Sequence, residues 1–295
     1  MTRGLLLAGT VFSAACAVGS RGTPAASVPA PTTYVPATPS PDPSTPGRPD
    51  AVRYGPSALR YVVHRQLHVQ QALGEQTQAQ NIGVRIFVVV AITGPADSVG
   101  YPATFVVDSI VADSGTPPPI VDNVGKVRKL VFAGRVAPRG AFVNALPSDS
   151  IVAQSVVQLL GNFRDFLPRL PMDGLKPGAA WTDTVETTQK GSGSEVSRRA
   201  ITQATAAGWE DHLGARSVRV MGNQTYRVAG GGKNAGQPFE LSGAGTGSGV
   251  AYIAIDGRYL GGEWQDSTTL TVRLPVQGVA VPVVQVTRTT VAVLP

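Results

Sequence analysis

Leu167–Thr182, LPRLPMDGLKPGAAWT, divides this chain of 295 residues. Two Leu-Pro steps, at Pro168 and Pro171, and a Lys176-Pro177-Gly178 turn stop any helix or central strand that enters the stretch. It reads as a hinge whose structural residues are Pro168, Pro171, Pro177, Gly178 and Trp181. It separates a β-rich first half, 51–166, from a second β-rich half, 183–295, with the hinge itself over 167–182.

Immediately upstream, Ile151, Val152, Val156, Leu159, Leu160, Phe163 and Phe166 recur at helical spacing, and Ser148 or Asp149 can cap the first turn. This predicts one amphipathic helix at about 149–166. Further back the period is two. In Leu59-Tyr61-Val63-Arg65-Leu67-Val69 the odd positions are mostly apolar and the even ones mostly polar, which predicts a strand with one wet face. Gln80–Thr93 and Pro102–Val111 read as further strands. The segment around Pro117, Pro118 and Pro119 reads as an irregular excursion. A strand pair is expected around Ala137-Pro138-Arg139-Gly140.

Downstream, Trp181–Gln189, Val196–Ala206, Ser217–Met221, Thr225–Ala229, Phe239–Leu241, Gly249–Ile255, Tyr259–Gln265, Thr268–Leu274 and Val279–Val293 are strand candidates. Asp256-Gly257 is expected to be a tight hairpin turn. The run Gly243-Ala-Gly-Thr-Gly-Ser-Gly249 superficially follows a dinucleotide-binding pattern. It lacks the βαβ setting, so it is expected to be a flexible turn or bulge. The fold class that follows is mainly β (α+β): two antiparallel β-sheet halves, or one curved half-barrel sheet, with that one helix.

High glycine (34) and proline (24), 42% hydrophobic and 15% charged residues suit short strands joined by many turns. The formal net charge of +6 is spread thinly, with local concentrations only at Lys126/Arg128/Lys129, Arg198-Arg199 and Arg216/Arg219. That favours anionic neighbours over nucleic acid, which would want a denser basic stripe or interleaved aromatics.

The single cysteine, Cys16, closes the leader MTRGLLLAGTVFSAAC, whose apolar run is too short to span a bilayer. Ser13-Ala14-Ala15-Cys16 resembles the lipobox of bacterial lipoproteins, with Ser13 where leucine is commonest. The resemblance covers residues 1–16 only. It implies a lipidated Cys16 as the mature N-terminus, and Ala17 after it implies no inner-membrane retention. The competing reading is ordinary cleavage after Ala15-Cys16-Ala17 and a soluble secreted protein. Residues 17–50 are a Pro-rich tether, nine prolines falling within 21–50. Fully extended, it reaches about 90 Å at about 3.1 Å per residue.

Chemistry is thin. On a strand His64 and His68 share a face about 13 Å apart, too far for one metal ion. They are expected to face solvent, and His212 to sit in a loop. A G-x-S-x-G elbow and a Walker A pattern are absent from the sequence. Asp108, Asp113, Asp122, Glu240, Asp256, Glu263 and Asp266 offer carboxylates, but no pair stands out. Trp181, Trp209 and Trp264 are expected in the core or at sheet edges. Neither a catalytic residue, a metal site nor a cofactor is expected.

The half-barrel alternative resembles, at fold level only, the periplasmic lipoprotein carriers that hold acyl chains, and the chain is similar to exported β-rich lipoproteins of Gram-negative-type bacteria. The functional expectation is a non-catalytic, membrane-tethered envelope protein, outer-membrane anchored, binding a protein partner, a lipid or an anionic polymer. The alternatives are a carrier of lipid or another hydrophobic ligand, and a hydrolase in which His64, His68 or His212 meets a Ser and an Asp.

Overall fold

A computed structural model describes residues 51–73, 76–153, 163–191, 193–234 and 236–295. The leader, Cys16 and the whole tether lie outside the described residues, as does the centre of the expected helix. Among the described residues eleven strands form: β1 Ser57–Leu73, β2 Gln76–Ile92, β3 Tyr101–Ala112, β4 Leu130–Val136, β5 Phe142–Pro147, β6 Ala180–Gly191, β7 Ser194–His212, β8 Ala215–Asn234, β9 Gln237–Ala254, β10 Tyr259–Leu274 and β11 Val279–Leu294.

All eleven belong to one antiparallel sheet, ordered β5-β4-β3-β2-β1-β11-β10-β9-β8-β7-β6. Strands from before and after the hinge therefore share a single sheet. The first strand pairs with the last, from Arg60 opposite Leu294 to Gln71 opposite Val283. The sheet's two edges, β5 and β6, are neighbours in sequence, and the hinge spans them.

Those edges come close without pairing. Arg139, in the β4–β5 turn, donates from Nη2 to Asp183 Oδ1 on β6 at 2.8 Å. The sheet must curl for its opposite ends to meet in this way. The curl gives it an inner face, where period-two apolar residues are buried. Ile86, Phe105, Val107, Val218 and Ile253 form a core at the hinge end. Leu241, Leu270, Val272 and Val283 form a second core toward the other end.

The hinge plugs the first core. Leu167, Leu170 and Leu175 are buried. Val52 and Leu175 exchange backbone hydrogen bonds of 2.8 Å each. The Tyr54 hydroxyl donates to the Pro168 carbonyl at 2.7 Å, and burial raises the Tyr54 pKa well above its ordinary value. Gly178 has φ +79 and donates its N–H to the Ala206 carbonyl at 2.9 Å. Trp181 is half-buried against the first core, and its indole N–H donates to the Arg169 carbonyl at 3.1 Å. A ring cluster fills the interior beside the hinge: Phe105 lies 4.4 Å from Phe142 and 5.4 Å from Phe166, and Phe166 lies 5.2 Å from Tyr61.

Three local readings of the sequence need correction. The glycine run Gly243–Gly249 is not a turn. It is the middle of β9, paired with β8 on one side and β10 on the other. The Pro117–Pro119 excursion contains a short helix, Pro118–Val124 (α1), followed by a turn of 3₁₀ helix at Gly125–Val127. Proline suits the first helical turn, and Ile120, Val124 and Val127 bury its inner side. Third, Ile151 is 81% exposed, so it does not lie on the expected apolar face; Ala153 turns inward instead. The cap itself is Asp149, whose Oδ1 accepts the N–H groups of Ile151 and Val152 at 3.0 Å each. Residues 150–153 are helical, 163–165 form a 3₁₀ turn, and 154–162 lie outside the described residues.

Candidate functional site

Between the two apolar cores the inner face changes character. Val69, Leu67, Arg65 on β1, then Gln285, Thr287, Thr289 on β11 and Trp264 and Asp266 on β10 are only partly buried. The strand register aligns them in rows. One row runs Arg65, Thr289, Trp264, Gly249, Gly222 and Ala204; the next runs Leu67, Thr287, Asp266, Gly247, Gln224 and Thr202.

The glycines of β9 are the floor of this layer. A Cβ on Gly249 would stand 2.3 Å from Trp264 Cε3, and one on Gly222 would stand 3.0 Å from Trp264 Cζ3. The Trp264 ring, which belongs to β10, therefore lies across β9 and reaches β8. Tyr226 does the reverse. It leaves β8, passes over Gly245, where a Cβ would be 2.5 Å from its Cζ, and hydrogen-bonds Thr268 on β10. Glycine at alternate, inward positions is what lets two large rings lie flat on a strand.

Charged groups surround the rings. The Arg198 guanidinium stacks 4.1 Å from the Tyr226 ring centre. Its Nη2 donates to Gln224 Oε1 at 2.6 Å, and Gln224 Nε2 donates to Thr202 Oγ1 at 2.7 Å. Asp266 is wedged against the strand, since a Cβ on Gly247 would be 2.3 Å from its Oδ1. That oxygen is buried with no hydrogen-bond partner among the described residues. Burial raises the Asp266 pKa. The Trp264 indole N–H beside it, Arg198 and Arg65 offset part of that shift, although the indole makes no well-aligned bond to Oδ1. Burial lowers the Arg65 pKa, and Asp266 acts against it. With two guanidiniums to one carboxylate, the layer carries net positive charge beside flat aromatic surface.

The histidines sit elsewhere. His64 lies on the outer face, its Nε2 2.7 Å from Asp113 Oδ2, with Arg85 Nε 3.2 Å from Asp113 Oδ1. The expectation of a purely solvent-facing His64 is thus corrected: Asp113 crosses over β2 where Gly83 leaves space, a Cβ there falling 2.3 Å from Asp113 Oδ2. His68 Nδ1 is 2.7 Å from Asn81 Oδ1. His212 is not in a loop but at the end of β7, stacked 3.7 Å from Tyr252. Asp108, Asp256 and Glu263 each face an arginine, respectively Arg60, Arg258 and Arg288. Among the described residues no group of three or more His, Cys, Asp or Glu could hold a metal ion. A shallow open depression of about 400 Å³ lies along Thr182, Gln203 and Asn223, and one of about 160 Å³ near Thr104 and Arg135.

In the sequence Asp266 and Trp264 read as separate candidates, Arg65 as a strand residue and Arg198 as part of a local charge concentration, and Gln224 and Tyr226 carry no signal of a site. Two of these were visible as exceptions. Arg65 interrupts the apolar side of Leu59–Val69, and Arg198 interrupts Val196, Ala200 and Ala204. A charge on the buried face of a period-two strand marks a polar interior.

No family model and no curated protein matches the chain. The crystal structure of Pseudomonas aeruginosa OccK2 (OpdF) overlays with a TM-score of 0.27 and 8% identity, covering 81% of this chain and 98% of that one. A likeness this distant carries no argument about fold or function.

Proposed function

We propose that the protein is a non-catalytic binding protein of the cell envelope, held to the membrane by lipid on Cys16 and taking its ligand on the inner face of its sheet. The observation that carries this reading is the partly open polar layer of Arg65, Arg198, Asp266, Tyr226 and Trp264 between two sealed apolar cores. Ligand sites typically combine aromatic walls with a few placed polar groups, and this layer has that composition. The carrier alternative calls for an apolar cavity. The interior beside the hinge is instead occupied by Phe105, Phe142, Phe163, Phe166 and Tyr61. The hydrolase alternative calls for a histidine between a serine and an aspartate; His64 has its aspartate on the outer face, and among the described residues its side chain bonds Asp113 and no serine.

Acrylamide quenching tests the open layer. In a Trp181→Phe, Trp209→Phe background the remaining emission comes from Trp264. It is expected to be quenched substantially in the folded protein. Emission as protected as that of a sealed core residue would mean that solutes do not reach the layer, and the reading would fail.

A further inference from the structure

We infer that the ligand of this inner layer is an acidic saccharide, whose sugar ring stacks on Trp264 while its anionic group meets the guanidiniums of Arg65 and Arg198. The inference rests on the reading of the layer as an open binding site.

Trp264 supplies the stacking face. One side of its indole lies on Gly222, Gly247 and Gly249. Its partners on the other side include no ring and no cation among the described residues, whereas the Tyr226 ring already has Arg198 over it. A partly exposed indole backed by glycine is a flat, rigid, apolar platform. The C–H face of a pyranose matches it in size and polarity.

Arg65 supplies the anion site. Its guanidinium makes no hydrogen bond or ion pair among the described residues, and burial already disfavours its charge. Asp266 offsets only part of that desolvation, and a bound carboxylate or phosphate would remove more of the cost with charge-assisted bonds. Arg65 and Trp264 lie in one row with Thr289 between them, so two strand spacings, about 9–10 Å, separate their backbones. That span fits one sugar unit carrying an acidic substituent.

The rest of the lining sets the ligand's polarity. Thr202, Gln224, Thr287 and Thr289 place hydroxyls and an amide around the ring and the arginines. Gln224 and Thr202 already bond Arg198 and each other, but a fatty acid or a bare aromatic acid would cover the Thr287 and Thr289 hydroxyls without pairing them, at the usual cost of a buried polar group. Sugar hydroxyls pair with them as both donors and acceptors.

The test is titration of the Trp181→Phe, Trp209→Phe protein with a galacturonate trisaccharide, a neutral galactose trisaccharide, glucose 6-phosphate and inorganic phosphate at fixed ionic strength. Saturable change in Trp264 emission is expected with the acidic sugars, at least about tenfold tighter than with the neutral one. The two acidic sugars distinguish a carboxylate from a phosphate as the recognised anion. Arg65→Met should weaken acidic-sugar binding by about tenfold while leaving the neutral sugar unchanged, and Arg65→Lys should retain part of the loss. A thermal melt checks that each variant is folded. Equal binding of the neutral sugar, equal binding of inorganic phosphate, or no saturable binding in a protein whose Trp264 acrylamide does reach would each overturn the ligand class and leave the open layer standing. Protection from acrylamide would remove the layer itself.

Discussion

Gly247 has only hydrogen where any other residue would put carbon 2.3 Å from the Asp266 carboxylate. Gly247→Ala must therefore displace Asp266 or open the β9–β10 ladder. The expected cost is about 1–3 kcal/mol of stability, read from urea unfolding. The two aspartates described above should give opposite pH signatures. Asp266 has a raised pKa in the fold, so the unfolded chain ionises first as pH rises. Stability is then lost from the ordinary carboxylate range up through the folded value, and the penalty is complete above it. Asp266→Asn should remove that loss and flatten the pH dependence on the acid side. Asp113 is the converse case, its pKa lowered by the His64 hydrogen bond and by Arg85. Its contribution is present above the ordinary carboxylate value and is lost as pH falls through the folded one. Asp113→Asn should therefore destabilise the protein at neutral pH and have little effect in acid, in the same unfolding series.

At the scale of elements, the hinge acts as a plug. Leu170 is fully buried, and its backbone N–H and carbonyl both bond Arg139, to the carbonyl at 3.0 Å and from Nε at 2.9 Å. Leu170→Ala should cost roughly 2–5 kcal/mol, the range for a large buried aliphatic that leaves a cavity. Tyr54→Phe should cost about 1 kcal/mol through the lost bond to Pro168. The strands were legible because β-branched residues alternate with polar ones, and the turn at Asp256-Gly257 because only glycine accepts the φ of +85 there. The middle of strand β9 was not legible, although its ends, Phe239–Leu241 and Gly249–Ile255, were. Gly243, Gly245, Gly247 and Gly249 carry the composition of a turn, and the rings that need them, Tyr226 and Trp264, come from two other strands. Local sequence holds no trace of such a cross-strand requirement. The helix at Pro118–Val124 was hidden for the same kind of reason, since its prolines read as breakers while its buried side is fixed by tertiary contact.

For the whole molecule, tethering and binding are separable. Replacing Cys16 with alanine should move the protein from the membrane to the soluble fraction, and unchanged fractionation would end the lipid-anchor reading. The titration of the folded body should be the same in both forms. The candidate site was half legible at this scale. Arg65 and Arg198 are charges on otherwise apolar strand faces, a pattern present in the sequence, but their convergence on Asp266 depends on strand order, which places β11 beside β1.

That order has a consequence for how the chain reaches its native state. Arg60 and Leu294 face each other across the middle of the sheet although more than two hundred residues separate them. During synthesis β1 and β2 can zip as a hairpin, but the far side of β1 keeps its backbone groups unpaired until β11 arrives. Folding is thus gated by the arrival of β11, and the long loop to be closed makes this step slow. In pulse-labelled refolding, β7–β8 amides are expected to gain protection before those of the β1–β11 pair. A partly made or truncated chain lacking residues 279–294 would expose a long bare strand edge at its centre, the surface on which such chains aggregate.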